Sequence, residues 1–134
     1  MAVTSDLTIR AGAPGRFLLI TGVSGAGKSA LIHALRDIDP RIVSPMVETT
    51  RPVRLGELNR THISIETFLR RKANGIYLHG IETFGYHYGA PKQFITDSLN
   101  KGLFPTLDFL IENAHVVNDF LGYKPFTVYL SPPS

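Results

Sequence analysis

No cysteine occurs anywhere in the 134 residues, which excludes disulfide bridges and thiolate metal sites and fits a reducing compartment. Surplus charge is scarce as well. Fourteen Lys and Arg against 11 Asp and Glu leave +3, too little to argue for a nucleic-acid surface but well suited to small anionic ligands. Long apolar runs are missing too: none approaches the roughly 20 residues of a bilayer-spanning helix. The N-terminus also lacks the uninterrupted apolar segment of a secretory signal. The expectation is a soluble, cytoplasmic protein with neither nucleic acid nor membrane as partner. The five histidines, His33, His62, His79, His87 and His115, show no metal-ligand spacing. There is no internal repeat and no low-complexity tract. With 43% hydrophobic and 19% charged residues, the chain reads as one globular domain with a small inserted lobe. A chain of this size can bury about two-thirds of its unfolded surface.

Against that background one stretch is specific. Gly22-Val-Ser24-Gly25-Ala26-Gly27-Lys28-Ser29 fits the phosphate-binding pattern G-x-x-x-x-G-K-[ST]. It follows an apolar run at 17–21 that reads as a buried strand, and residues 30–36 after it read as a helix. Strand, glycine-rich turn and helix are the context the pattern needs, because loop N–H groups and a helix N-terminus must converge on one anion. The stretch implies binding of a nucleoside triphosphate. Lys28 would reach the β- and γ-phosphates and the Ser29 hydroxyl would hold Mg²⁺, so ATP and Mg²⁺ are the expected cofactors.

The rest of the chain alternates strand and helix patterns, which implies an α/β fold with a mostly parallel sheet. Residues 1–15 are polar, carry Gly12, Pro14 and Gly15, and read as a flexible leader. Leu31, Leu35 and Ile38 make an apolar stripe on the first helix, and 42–43 is a short strand candidate. The segment 49–57 is a polar loop with Pro52 and Gly56. Ser64 caps a helix whose Ile65, Phe68, Leu69 and Ala73 share one face. Residues 76–78 and 81–84 are short strand candidates, so about 49–88 reads as an inserted α+β lobe. Pro91 opens a third helix and Leu103 to Asp108 reads as a strand, with Pro105 confining it to a strand start or a sheet edge. Leu110, Ala114, Val117 and Leu121 mark a fourth helix, and 126–130 is the last strand. The basic run Arg70-Arg71-Lys72 reads as a solvated helix face.

Four motifs in order carry a resemblance to the guanylate kinase family over 16–134. They are Gly22 to Ser29; Thr49-Thr50-Arg51-Pro52 with Arg54 and Gly56-Glu57; Gly85-Tyr-His-Tyr88-Gly-Ala90-Pro91; and Leu130-Ser-Pro-Pro-Ser134. The resemblance implies a three-layer P-loop fold with a small acceptor-binding lobe and ATP-dependent phosphoryl transfer to a nucleoside monophosphate, GMP. By position it places Gly22, Ser24, Gly25, Ala26, Gly27, Lys28 and Ser29 on the ATP phosphates. It places Arg51, Arg54 and Tyr88 on the acceptor phosphate. Guanidinium forks suit a planar, bidentate phosphate contact. Solvated basic loop residues and a packed tyrosine are the plain alternatives. Asp108, with Lys28 the catalytic candidate, aligns with the first carboxylate of the family's Asp-x-Asp element; capping the strand end is its other reading.

The departures concern the acceptor. The guanine-reading glutamate of the family falls on His79, and its hydroxyl positions fall on Val47 and Ala90. A shortened segment near Arg60 and the Ala114-His115 pair are also similar to the ribose-bisphosphate phosphokinases, whose acceptor is a phosphosugar. A non-catalytic binding module is a third reading, which the intact Gly22 to Ser29 loop disfavours. Family members continue past Pro-Pro-Ser into a helix and an arginine-bearing lid. The expectation is that Ser134 precedes both and that activity without those arginines is weak.

Overall fold

The computed structural model describes residues 9, 12–22, 27–55, 60–109 and 113–131, the Ser29 side chain excepted. Most of the expected leader (1–8, 10 and 11), Ser24, Gly25 and Ala26 of the phosphate loop, Gly56, Glu57, Leu110 and residues 132–134 lie outside the described residues.

β1 (Leu18–Gly22) is the apolar run before the loop, and its Leu19, Ile20 and Thr21 are buried on both sheet faces. Burial on both faces is what a central parallel strand requires. β1 pairs in parallel with β7 (Phe104–Phe109) on one side and β8 (Phe126–Leu130) on the other. The two-residue β2 (Ile42–Val43) adds to β7, giving the order β2-β7-β1-β8. Pro105 is the second residue of β7, before the pairing with β1 begins at Thr106, so its missing N–H costs the sheet no bond there.

Side-chain alternation sorts the helices onto the two faces. Leu19 and Leu107, opposite one another in register, share one core with Ile95 and Leu99 of α3 (Lys92–Asn100) and Val117 and Leu121 of α4 (Ala114–Leu121). α1 (Lys28–Ile38) packs against β1 and β7. The three-layer, mostly parallel expectation holds.

A second sheet, in the order β4-β3-β6-β5, is built from short strands: β3 (Val47–Thr49), β4 (Arg60–His62), β5 (Ile81–Thr83) and β6 (Tyr86–Gly89). β3 runs parallel to β4 and antiparallel to β6, which pairs antiparallel with β5. The β5–β6 hairpin turns through Phe84 and Gly85, at φ 51 and 79, the left-handed pair that a two-residue turn matching strand twist demands. α2 (Ile65–Ala73) starts at Ser64, whose hydroxyl accepts from the Thr67 N–H at 3.1 Å.

Three expectations need correction. The inward residue of α1 is Ile32, while Ile38 is 79% exposed. The helix begins at Lys28, two residues before the expected 30, and Leu31 and Leu35 are half-buried beside Ile32. On α2 only Phe68 is buried and Ile65 and Leu69 are exposed, because a sheet of three- and four-residue strands offers a seat for one large side chain. Residues 76–78 form a bridge rather than a strand. Tyr77 opposes Pro91, with Leu78 N–H on Ala90 O and Lys92 N–H on Ile76 O, both at 2.9 Å.

Truncating Ile95→Ala is expected to destabilise the chain by about 2–5 kcal/mol, whereas Ile38→Ala changes stability by less than about 0.5 kcal/mol. Urea unfolding of the two variants checks this, and equal losses would contradict the described core.

Candidate functional site

The phosphate loop begins where β1 ends. Gly22 has φ 150 and its Cα meets the edge strand so closely that a Cβ would lie 2.5 Å from the Leu130 carbonyl oxygen. Only glycine lets β1 complete its register with β8 and leave the sheet in that direction. At the far side of the loop Gly27 takes the left-handed conformation at φ 91 and hands the chain to α1, whose first turn holds no acidic residue. No acidic residue of its own first turn offsets the partial positive charge that this helix end offers an anion. Lys28 is buried, and its Nζ donates to the Gly22 carbonyl at 3.2 Å, so the ammonium reaches back across the loop to its first residue.

Asp108 lies opposite Ile20, near the C-terminal end of β7, with its side chain exposed. Ligands of open α/β sheets gather at this end of the strands. Lys28 and Asp108 line one cavity of about 290 Å³, and its other wall comes from the second sheet, through Val47, Ile81, Tyr88, Gly89 and Ala90. His79, Phe109, Asn113, Leu107 and Arg60 complete it. A smaller hollow of about 170 Å³ adjoins it and shares Val47, Arg60, Leu107 and Asp108. Thus Lys28, Asp108 and Tyr88, far apart in sequence, are brought to one space. His79 joins them there, its ring 6.2 Å from that of Phe109. Burial pushes the His79 pKa below its usual value, the charge of His115 adds to this, and a hydrogen bond to Asn113 opposes it. The balance favours the neutral imidazole.

Arg51 and Arg54 lie outside this cavity, in the loop that leaves β3. Arg51 is buried and well anchored. Its N–H donates to Thr49 Oγ1 at 3.1 Å, its guanidinium donates to the Pro52 carbonyl at 3.1 Å, and His62 Nδ1 donates to its carbonyl at 2.6 Å. Arg54 is exposed. Tyr88 stands opposite Thr49 in the β3–β6 ladder, so it and Arg51 flank the same strand end.

Several residues of the site escape sequence reading. Arg60 and Asn113 belong to no motif, yet they line the cavity. Arg71 departs from the expected solvated face: it is half-buried and forks onto Glu48. An isolated Glu one residue before Thr-Thr-Arg is the only cue, and it names no partner.

The family model for guanylate kinase matches residues 14–134. The chain belongs to the guanylate kinase family. It is 33% identical over 124 residues to a guanylate kinase of Ruegeria sp. (strain TM1040), covering 90% of this chain and 57% of that relative. To a guanylate kinase of Photobacterium profundum it is 34% identical over 125 residues, covering 90% and 60%. The crystal structure of guanylate kinase from Anaplasma phagocytophilum superposes with a TM-score of 0.70 at 26% identity, covering 91% of this chain and 62% of that one. The chain thus spans about three fifths of the length of these relatives. No helix among the described residues is long and apolar enough to cross a membrane.

The lowered His79 pKa has a sign that can be checked. An imidazole that resists protonation in the folded state takes up its proton more readily unfolded, so below about pH 6.5 stability falls until the folded value is passed. Above that window it contributes nothing. Melting temperatures measured from pH 7.5 to 5 should fall less steeply for His79→Gln than for the natural chain, and identical profiles would refute the assignment.

Proposed function

We propose that this guanylate kinase family chain holds ATP and a nucleoside monophosphate, GMP, and supports direct transfer of the γ-phosphoryl group between them. The observation that carries this reading is the shared cavity. Lys28 and Asp108 reach it from the phosphate-loop sheet, and Tyr88 and His79 reach it from the side of the second sheet. We read the second sheet as the acceptor lobe, about residues 49–88, with β3 as its base, and 16–134 as the family domain.

In this reading Gly22 and the loop through Ser29 cradle the ATP phosphates, and Lys28 carries positive charge to the β- and γ-phosphates. Arg51, Arg54 and Tyr88 hold the acceptor phosphate. An acceptor phosphate oxygen attacks the γ-phosphorus in line as the bond to the β-phosphate oxygen breaks, so GMP and ATP become GDP and ADP. The chemistry demands positioning and charge neutralisation more than covalent participation. Mg²⁺ fits the site's donors: the exposed Asp108 carboxylate shares the cavity with Lys28, and oxygen is the ligand this cation prefers. Bound there with Ser29, it would offset phosphate charge. Asp108 would also orient the acceptor oxygen.

The cavity walls support a nucleoside over a bare phosphosugar. Val47, Ile81, Ala90, Leu107 and Phe109 offer apolar surface suited to the flat face of a base, against which sugar hydroxyls would lose hydrogen bonds. A cysteine-free chain acting on nucleotides fits the cytoplasm.

Calorimetry on this chain tests the reading. MgATP is expected to bind saturably and Lys28→Ala to abolish that binding. GMP is expected to bind with ribose 1,5-bisphosphate failing to compete, and Arg51→Ala is expected to weaken GMP at least about tenfold, the loss of a charge-assisted phosphate contact. Competition by the sugar bisphosphate would replace the acceptor assignment. Binding of both nucleotides without any transfer, in a chain extended to the relatives' length, would favour a binding module.

A further inference from the structure

We propose that Glu48, Arg71 and Tyr77 form a pin that positions the acceptor-phosphate residues, so that Glu48 governs acceptor affinity without touching the acceptor. The inference rests on the reading of Arg51 and Tyr88 given above.

Three donors converge on one carboxylate. Arg71 Nε and Nη2 donate to Glu48 Oε1 and Oε2 at 2.6 and 2.7 Å, and the Tyr77 hydroxyl donates to Oε1 at 2.6 Å. The fork is the bidentate geometry that makes Arg–carboxylate pairs strong and directional. Both partners are sheltered, with 12% of the Glu48 side chain and 34% of the Arg71 side chain exposed. Burial pushes the Tyr77 pKa up to about 12, so its hydroxyl keeps the proton it donates throughout the physiological range. The carboxylate also raises the Arg71 pKa, which keeps the guanidinium charged.

The pin joins every part of the acceptor sheet that carries a proposed ligand. Glu48 is the middle residue of β3, three positions before Arg51, and lies opposite Gly89, the neighbour of Tyr88. The Tyr77 ring lies so close over Gly89 that a Cβ there would sit 2.6 Å from it, and the ring also stacks on Phe68 of α2 at 4.7 Å. One ring therefore presses on β6 and α2 while its hydroxyl holds β3. From Glu48 the chain passes to Thr50, whose N–H donates to the His87 carbonyl at 3.1 Å and whose Oγ1 accepts from the His87 N–H at 2.9 Å, and then to Arg51.

The need for a pin follows from strand length. β3 has three residues, and its register with β6 covers only Glu48 and Thr49. Strands this short are marginal on ladder bonds alone. Phe68 and Tyr77 are the large buried rings on this sheet, and Val47 at the start of β3 packs on the main core, so beyond Val47 side-chain bonds set where β3 ends and where Arg51 is presented.

The test is calorimetric titration of this chain with GMP and with MgATP, for the natural sequence, Glu48→Gln, Tyr77→Phe, Arg71→Met and the Glu48→Gln/Arg71→Met pair. Thermal melting confirms that each variant folds. Tyr77→Phe, which removes one oxygen, is the variant least exposed to misfolding. Expected are a GMP Kd raised about tenfold by Glu48→Gln and about threefold by Tyr77→Phe, on the order of one charged and one weaker hydrogen bond. The double variant should be no more than about twofold worse than Glu48→Gln, since the residues act as one unit. MgATP affinity should stay within about twofold throughout, because the phosphate loop belongs to the other sheet. An unchanged GMP Kd, or parallel weakening of GMP and MgATP, would overturn the pin. If the natural chain bound MgATP but no GMP, the acceptor reading would fail separately. Amide exchange would then decide the pin: faster exchange at Thr50, Arg51 and Tyr88 in Glu48→Gln upholds it, and unchanged exchange rejects it.

Discussion

A central parallel strand has no face left for water, and that constraint organises this molecule. Leu19, Ile20 and Thr21 are shut off from solvent because β7 and β8 flank β1 while helices cover its surfaces. The strand has one exit, at its C-terminal end, and the glycine there turns within van der Waals limits of the β8 backbone. The phosphate loop, the reach of Lys28 back to Gly22 and the placement of Asp108 beside it all descend from that single buried strand. The binding end of the sheet is where it is because parallel strands end together.

The second sheet obeys a different economy. Its strands are three or four residues long and few of its side chains are buried, so hydrophobic burial cannot hold it to one geometry. Ion pairing and hydrogen bonding take over: the Arg71 fork on Glu48, the Tyr77 hydroxyl, the anchors on the Arg51 backbone. Burial fixes the first sheet and polar contacts fix the second.

Much of the fold was legible in the sequence wherever the signal was local. The apolar run before Gly22, the Ser64 cap and the β-branched and aromatic run at 126–130 each encode their own backbone conformation. Legibility failed where conformation depends on a distant neighbour. The run 76–78 has strand composition, but only Tyr77 finds a bridging partner, in Pro91. Ile65 and Leu69 sit at helix-face spacing, but the sheet beneath them is too small to cover them. Among the site residues Lys28, Asp108 and Tyr88 converge on the cavity while Arg51 and Arg54 lie outside it; Arg60 and Asn113 line it without belonging to a motif, and Arg71, read as part of a solvated basic run, forks onto Glu48.

By itself the sequence determined the phosphate-binding pattern, the four strands of the first sheet with the four helices, and the family to which the chain belongs, because these rest on residue types at short, fixed spacing; β3, β4 and β6 were not read from it. Only the tertiary structure decided which residues face one another across the cavity, that Arg71 points inward to Glu48, and that burial, with the charge of His115, lowers the His79 pKa. The physical reason is range. Backbone preference acts over a few residues, while burial, charge pairing and cavity shape are set by segments that meet only once the chain has folded.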